Sequence, residues 1–177
     1  GNTSGATNQG TNSIAIGRIA GEITQYQYAI GIGNSASSTD QGTNAIAIGT
    51  SAGSTGQGSY SVAVGYFAGQ TGQSYQSVAI GYFAGNTQSF QAVAIGSSAG
   101  TVSQGAGAVA VGSSAGGGLQ GTYAVAIGSS AGNSQQGSGA ISMGYQSGLG
   151  DSTGNNGGQG NYSVAVGYQA GNVVTGG

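Results

Sequence analysis

The apolar residues of this chain fall at two fixed places in a unit that returns ten times. The first unit centres on Ser13-Ile14-Ala15-Ile16-Gly17, followed by Ala29 to Gly33, Ala45 to Gly49, Ser61 to Gly65, Ser77 to Gly81, Ala92 to Gly96, Ala108 to Gly112, Ala124 to Gly128, Ala140 to Gly144 and Ser163 to Gly167. Ile or Val fills the second and fourth places, with Met143 once, while Ala, Ser or Gly fills the others. Period-two alternation of β-branched residues predicts short strands, because successive side chains point to opposite faces. The closing glycines are 16 residues apart, with one step of 15 and one of 23. A short strand at a fixed interval is the sign of a solenoid whose coils bury their apolar surface only by stacking. The expected fold is all-β, a parallel β-solenoid or β-roll of about ten 16-residue coils, forming one domain over residues 1–177.

A second column lies eight residues before each closing glycine: Gln9, Gln25, Gln41, Gln57, Gln73, Gln88, Gln104, Gln120, Gln136 and Gln159. The Gln-to-Gly length never changes, so both irregular steps fall after the glycine, the longer as a loop insertion near residues 149–158. A strand register cannot slip without turning its side chains over, whereas a loop absorbs insertions cheaply. The Gln column is expected to be a structural ladder of amides bonded along the axis. The sharper alternative is an exposed row that binds polysaccharide. An Ala-Gly pair three and four residues past the closing glycine, as in Ala68-Gly69, predicts a second strand or a corner.

The simplest assignment of faces places the bulky residues inside the coil. It predicts a core of Ile14, Ile16, Ile46, Ile48, Val62, Val64, Val78, Ile80, Val93, Ile95, Val109, Val111, Val125, Ile127, Val164 and Val166, with the flat Ala/Ser/Gly face outside as a subunit interface. The opposite assignment, with small residues filling a very thin coil and Ile/Val facing a neighbour, remains open. Either leaves an apolar face needing a partner, so the chain is expected to form homo-oligomers.

Composition narrows the chemistry. Of 177 residues 41 are Gly, none is Pro, Cys, His or Trp, and only Arg18, Glu22, Asp40 and Asp151 are charged. One basic residue cannot neutralise phosphates, which argues against nucleic acid as a partner. No apolar run approaches the roughly 18 residues of a membrane-spanning helix, so no membrane insertion is expected. Without His, Cys or clustered carboxylates there is no base to activate a Ser, Thr or Tyr nucleophile and no ligand set for a metal; no enzyme activity, catalytic residue, cofactor or metal site is predicted. Asp151 among the Asn and Gly residues of the insertion is one carboxylate, a poor calcium site. Tyr66-Phe67, Tyr82-Phe83, Tyr145 and Tyr168 follow a closing glycine, and Tyr28, Tyr60, Tyr123 and Tyr162 precede a strand. Arg18, Asn34, Thr50 and Ser97, and Asn12, Asn44, Gly107 and Gly139, stand at these places in other coils; the places are expected to be exposed, with the rings stacking between adjacent coils.

The repeat Asn/Tyr-Ser/Ala-Val/Ile-Ala-Ile/Val-Gly-x-x-Ala-Gly resembles the YadA-like (Hep_Hag) head repeats of trimeric autotransporter adhesins, and similar repeats in phage and large-virus fibre proteins. The resemblance covers Gln9 to Gly171. It implies a left-handed roll, a homotrimer, and a place on a cell or virion surface, with a host surface or glycan as a further partner. It carries over no binding residues.

The function expected is therefore a fibre or adhesin shaft that self-associates, by trimerisation or by end-to-end stacking into filaments. The alternative from a different class is an ice-binding solenoid, for which Ser97-Ser98, Ser113-Ser114 and Ser129-Ser130 offer a short row of hydroxyls, broken by Tyr-Phe in two other coils.

Overall fold

The fold is taken from a computed structural model of the chain, which describes residues 1–149 and 158–172. Twelve three-residue strands follow one another: β1 (Ile14–Ile16), β2 (Ile30–Ile32), β3 (Thr39–Gln41), β4 (Ile46–Ile48), β5 (Thr55–Gln57), β6 (Val62–Val64), β7 (Val78–Ile80), β8 (Val93–Ile95), β9 (Val109–Val111), β10 (Val125–Ile127), β11 (Ile141–Met143) and β12 (Val164–Val166). Ten of them form one parallel sheet in the order β1-β2-β4-β6-β7-β8-β9-β10-β11-β12, one strand per rung. At about 4.8 Å per rung the stack is roughly 48 Å long.

The register never slips. Val62 pairs with Val78 across a 16-residue step, Val78 with Val93 across the 15-residue step, and Ile141 with Val164 across the 23-residue step. The missing residue and the insertion are both taken up outside the strands. Asp151 and residues 150–157 of the insertion lie outside the described residues.

Opposite this sheet runs a narrower wall built on the Gln column. Strands β3 and β5 pair there through Thr39–Thr55 and Gln41–Gln57, and parallel bridges continue it from Gln9–Gln25 to Gln136–Gln159. The second wall thus forms at the Gln residues. The Ala-Gly pair is a corner, with its glycine left-handed, as at Gly69 (φ 54°).

The glutamine side chains folded in from the second wall reach the carbonyls of the main sheet and leave only small side chains room beside them. Ala47, Ala63, Ala79, Ala94, Ala110 and Ala126, the central strand residues, are fully buried against Ala52, Ala68, Ala84, Ala99, Ala115 and Ala131 from the corners. The strand-opening Ser61 and Ser77 are buried too, and each hydroxyl donates to the carbonyl three residues back, at 2.6 Å.

This packing reverses the predicted core. Ile14, Ile16, Ile48, Ile80, Ile95, Ile127, Val164 and Val166 are exposed, and Ile46, Val62, Val64, Val78, Val93, Val109, Val111 and Val125 are only half buried. The physical reason is space. Once the central residue of each strand in the main sheet faces an alanine, or Ser147 in rung nine, across a thin coil, period two sends its bulky neighbours outward, where they cover one another only along their own columns.

Candidate self-association face

Two side-chain systems run the length of the stack, one buried and polar, the other open and apolar. The buried one is the glutamine column, and every described Gln from Gln25 to Gln136 in it is at most 3% exposed. Most of these side-chain amides do two jobs. Gln57 Nε2 donates to the Ile46 carbonyl at 2.8 Å and to Gln73 Oε1 at 3.2 Å. The same pattern links Gln25 to Gln41, Gln41 to Gln57, Gln73 to Gln88 and Gln88 to Gln104, then resumes from Gln120 to Gln136 and Gln159. Between the two runs Gln120 Oε1 has no partner. Gln9 at the first rung is exposed and reaches only the Ser13 carbonyl. A buried amide that lost its partners would carry a full desolvation penalty. The column is therefore an internal ladder and presents no surface for a polysaccharide.

Glycine makes room for it. A Cβ on Gly69 would come within 2.7 Å of Gln73 Oε1, so the corner must be bare where the amide folds back. The closing glycines have a separate reason: at Gly81 φ is +131°, and a Cβ would sit 2.6 Å from the Gly96 carbonyl oxygen of the next rung.

The open system is the strip of outward residues, two per rung, from Ile14 and Ile16 to Val164 and Val166. Ile48, Ile80, Ile95 and Ile127 are each 37–39% exposed even with rungs above and below them. No charged residue belongs to any of the ten strands of this sheet. A continuous uncharged β-branched strip of this length is the kind of patch that marks an interaction surface.

Aromatic residues flank it. Tyr66 stacks on Tyr82 with ring centroids 5.4 Å apart and 7° between planes, Phe67 on Phe83 at 4.9 Å and 18°, and Tyr145 on Tyr168 at 5.4 Å and 14°. On the other edge Tyr60 meets Tyr75 edge-on at 5.6 Å. The expected stacking between adjacent coils is thus present. The tyrosines before the strands take a left-handed backbone, Tyr28 at φ 61°, Tyr60 at 59°, Tyr123 at 57° and Tyr162 at 57°. Sequence reasoning missed this. The available signal was that Asn and Gly, which adopt that conformation most readily, occupy the same place in Asn12, Asn44, Gly107 and Gly139.

Nothing in the described residues gathers catalytic groups. Among them no cluster of three His, Cys, Asp or Glu could hold a metal. The grooves along Asn8–Thr11 with Thr24–Gln27, and beside Gln120 and Gln136, are lined by amides, hydroxyls, glycines and single Tyr26 and Leu119 side chains, without an acid or a base. No helix of the described residues is long and apolar enough to cross a membrane.

Comparison with known proteins agrees with the repeat and reaches little beyond it. No curated protein and no solved structure matches the chain. The family model of the YadA head domain repeat matches it in two copies, at residues 27–52 and 41–68, so these rungs are YadA-like head repeats.

Proposed function

We propose that the chain is the self-associating shaft or head of a surface adhesin fibre, three copies packing their Ile/Val strips around a common axis. The single observation that carries this reading is the uncharged, outward-facing strip, which a lone rod would leave in water over its whole length. Apolar surface of this kind contributes about 25 cal/mol per Å² when it is covered. The YadA head repeat is an adhesin-type structural repeat, which supports an adhesive role and a place outside the cell or on a virion.

Light scattering of the purified protein tests it. A mass of three chains is expected for the native sequence, and of one chain for Ile80→Ser/Ile95→Ser/Val111→Ser, with unchanged β-sheet circular dichroism. A native monomer would refute the reading; long filaments would put end-to-end stacking in its place.

A further inference from the structure

One column of residues runs along an edge of the strip, each member two places before its strand: Asn12, Tyr28, Asn44, Tyr60, Gln76, Gln91, Gly107, Tyr123, Gly139 and Tyr162. All ten take a left-handed backbone, with φ between 56° and 64°. Backbone bonds hold the rungs in register here, as from Gly139 N to the Thr122 carbonyl at 2.8 Å and from Tyr162 N to the Ser138 carbonyl at 2.9 Å. Equal backbone geometry gives their side chains one starting direction.

The tyrosines are not scattered over this column. They stand on rungs two, four, eight and ten, and on no odd rung. At about 4.8 Å per rung the step is about 9.6 Å, doubled once across rung six, where Gln91 stands. A ring on every second rung has no ring of its own column to stack on. Tyr123 and Tyr162 lean over the glycines of the preceding rungs instead: a Cβ on Gly107 would meet the Tyr123 ring at 2.6 Å, and one on Gly139 the Tyr162 ring at 2.8 Å. None of the four is stacked face to face on another ring of the described residues. On the other edge Tyr66 and Tyr82, on adjacent rungs, turn their faces to each other. The four tyrosines of the column are 52–81% exposed. Each holds a bulky side chain on a backbone that suits Asn or Gly better, and strain of that kind clusters at binding sites.

An open aromatic face binds a six-membered sugar ring, whose axial C–H groups lie against the electron-rich π-system. In an extended β-1,4-linked chain alternate sugars turn over, so the same face recurs at every second sugar, a repeat close to two rungs. No Lys, Arg or His follows Arg18, so nothing beside rungs four, eight and ten would pair with an acidic sugar. Exposed Thr122 and Asn161 each precede a ring. Asn161 Oδ1 accepts from the Ser138 backbone amide at 2.9 Å, which leaves its Nδ2 to donate to a sugar hydroxyl. From the two-rung period we infer that this column is a track for an extended, neutral β-1,4-linked polysaccharide, with a tyrosine against every second sugar. Tyr123 and Tyr162 are its most exposed pair.

Isothermal titration of the full chain with cellohexaose, chitohexaose and maltohexaose tests the track. The first two are extended chains of glucose and of N-acetylglucosamine, and their relative affinities separate a glucan from a chitin-like ligand. The α-linked third coils and is expected not to bind. Tyr123→Asn and Tyr162→Asn bring in the residue of Asn12 and Asn44, which suits the backbone. Each is expected to weaken binding about fivefold or more, with the mass in light scattering unchanged. Tyr123→Asn with Gly139→Tyr keeps the number of rings but sets two of them on adjacent rungs, and is expected to bind no better than Tyr123→Asn alone. The track would be overturned by failure of both β-linked chains to bind, by equal binding of maltohexaose, by unchanged affinity in the single variants, or by native affinity in the shifted one. A fall in mass on Tyr123→Asn would overturn it too, by placing that ring between copies. A native chain that binds as a monomer would refute the association proposed above and leave the track standing.

Discussion

Gln73 Nε2 donates to Gln88 Oε1 at 3.2 Å across the one coil that lacks a residue, so the internal ladder crosses the irregularity intact. Gln88 also donates to the Val78 carbonyl at 3.0 Å and to Gln104 Oε1 at 2.9 Å. Replacing it by Leu leaves Gln104 Oε1 buried without its donor and Gln73 Nε2 without an acceptor in the ladder. At about 1–3 kcal/mol for a buried polar group left unmade, Gln88→Leu is expected to cost about 3 kcal/mol. Gln9→Leu, at the exposed end of the column, should cost under about 0.5 kcal/mol. Urea unfolding of both variants measures the contrast; equal losses would mean that the ladder contributes nothing specific.

Gln88→Glu should turn that rung into a pH sensor. Burial disfavours the carboxylate and raises its folded-state pKa above the roughly 4.3 of an unfolded chain. Stability is then best below pH 4, where the acid is neutral in both states, and is lost as pH rises through the raised folded-state value. The denaturation midpoint of the variant, compared with wild type at pH 3.5 and pH 7, should show a gap that widens at the higher pH.

The closing glycines differ along the stack in one testable way. At Gly81 an added methyl would meet the next rung's carbonyl and an unfavourable φ together; at Gly167 φ is +124° but the nearest atom is the Ala170 Cβ at 3.9 Å. Gly167→Ala should cost about 1–2 kcal/mol from backbone strain alone, and Gly81→Ala clearly more, with local loss of amide protection at Gly96. Equal costs would show that strain, not the close approach, selects glycine here.

Neighbouring residues of one strand should respond in opposite ways. Ala110 is fully buried, and a Cβ on Gly116 would already lie 3.2 Å from its methyl. Ala110→Val is expected to overpack the coil at a cost of about 1–3 kcal/mol. Val111 points outward, so Val111→Thr should leave the fold within about 0.5 kcal/mol and weaken association instead. Thermal melts at two protein concentrations separate the effects.

These two residues also show what was legible beforehand. Coil length, strand positions and the glutamine column could all be read, because each depends on spacing, and spacing survives even at Gln88 and Gln159 where the coil length changes. Which face lies inside could not be decided by bulk. In most sheets the β-branched face is the buried one, yet here a wall of Gln stands close behind the strand and leaves room for nothing larger than Ala110 or Ser142. The clue was tolerance. The places of Ala110 and Ala115 admit only Ala, Ser or Gly in every coil, while that of Val111 admits Ile, Val and Met. A core this tight is strict about size. The left-handed tyrosines were hidden for a related reason, since Tyr123 in place of Asn44 disguises a backbone requirement as a surface preference.

Because every rung bonds to the next in one unbroken register, and insertions are pushed out to the side, the coil behaves as a graduation on a ruler. Adding or removing one 16-residue unit would move whatever lies beyond it by about 4.8 Å while the cross-section stays the same. Reach could therefore be tuned by counting repeats, with no need to redesign the packing of any of them.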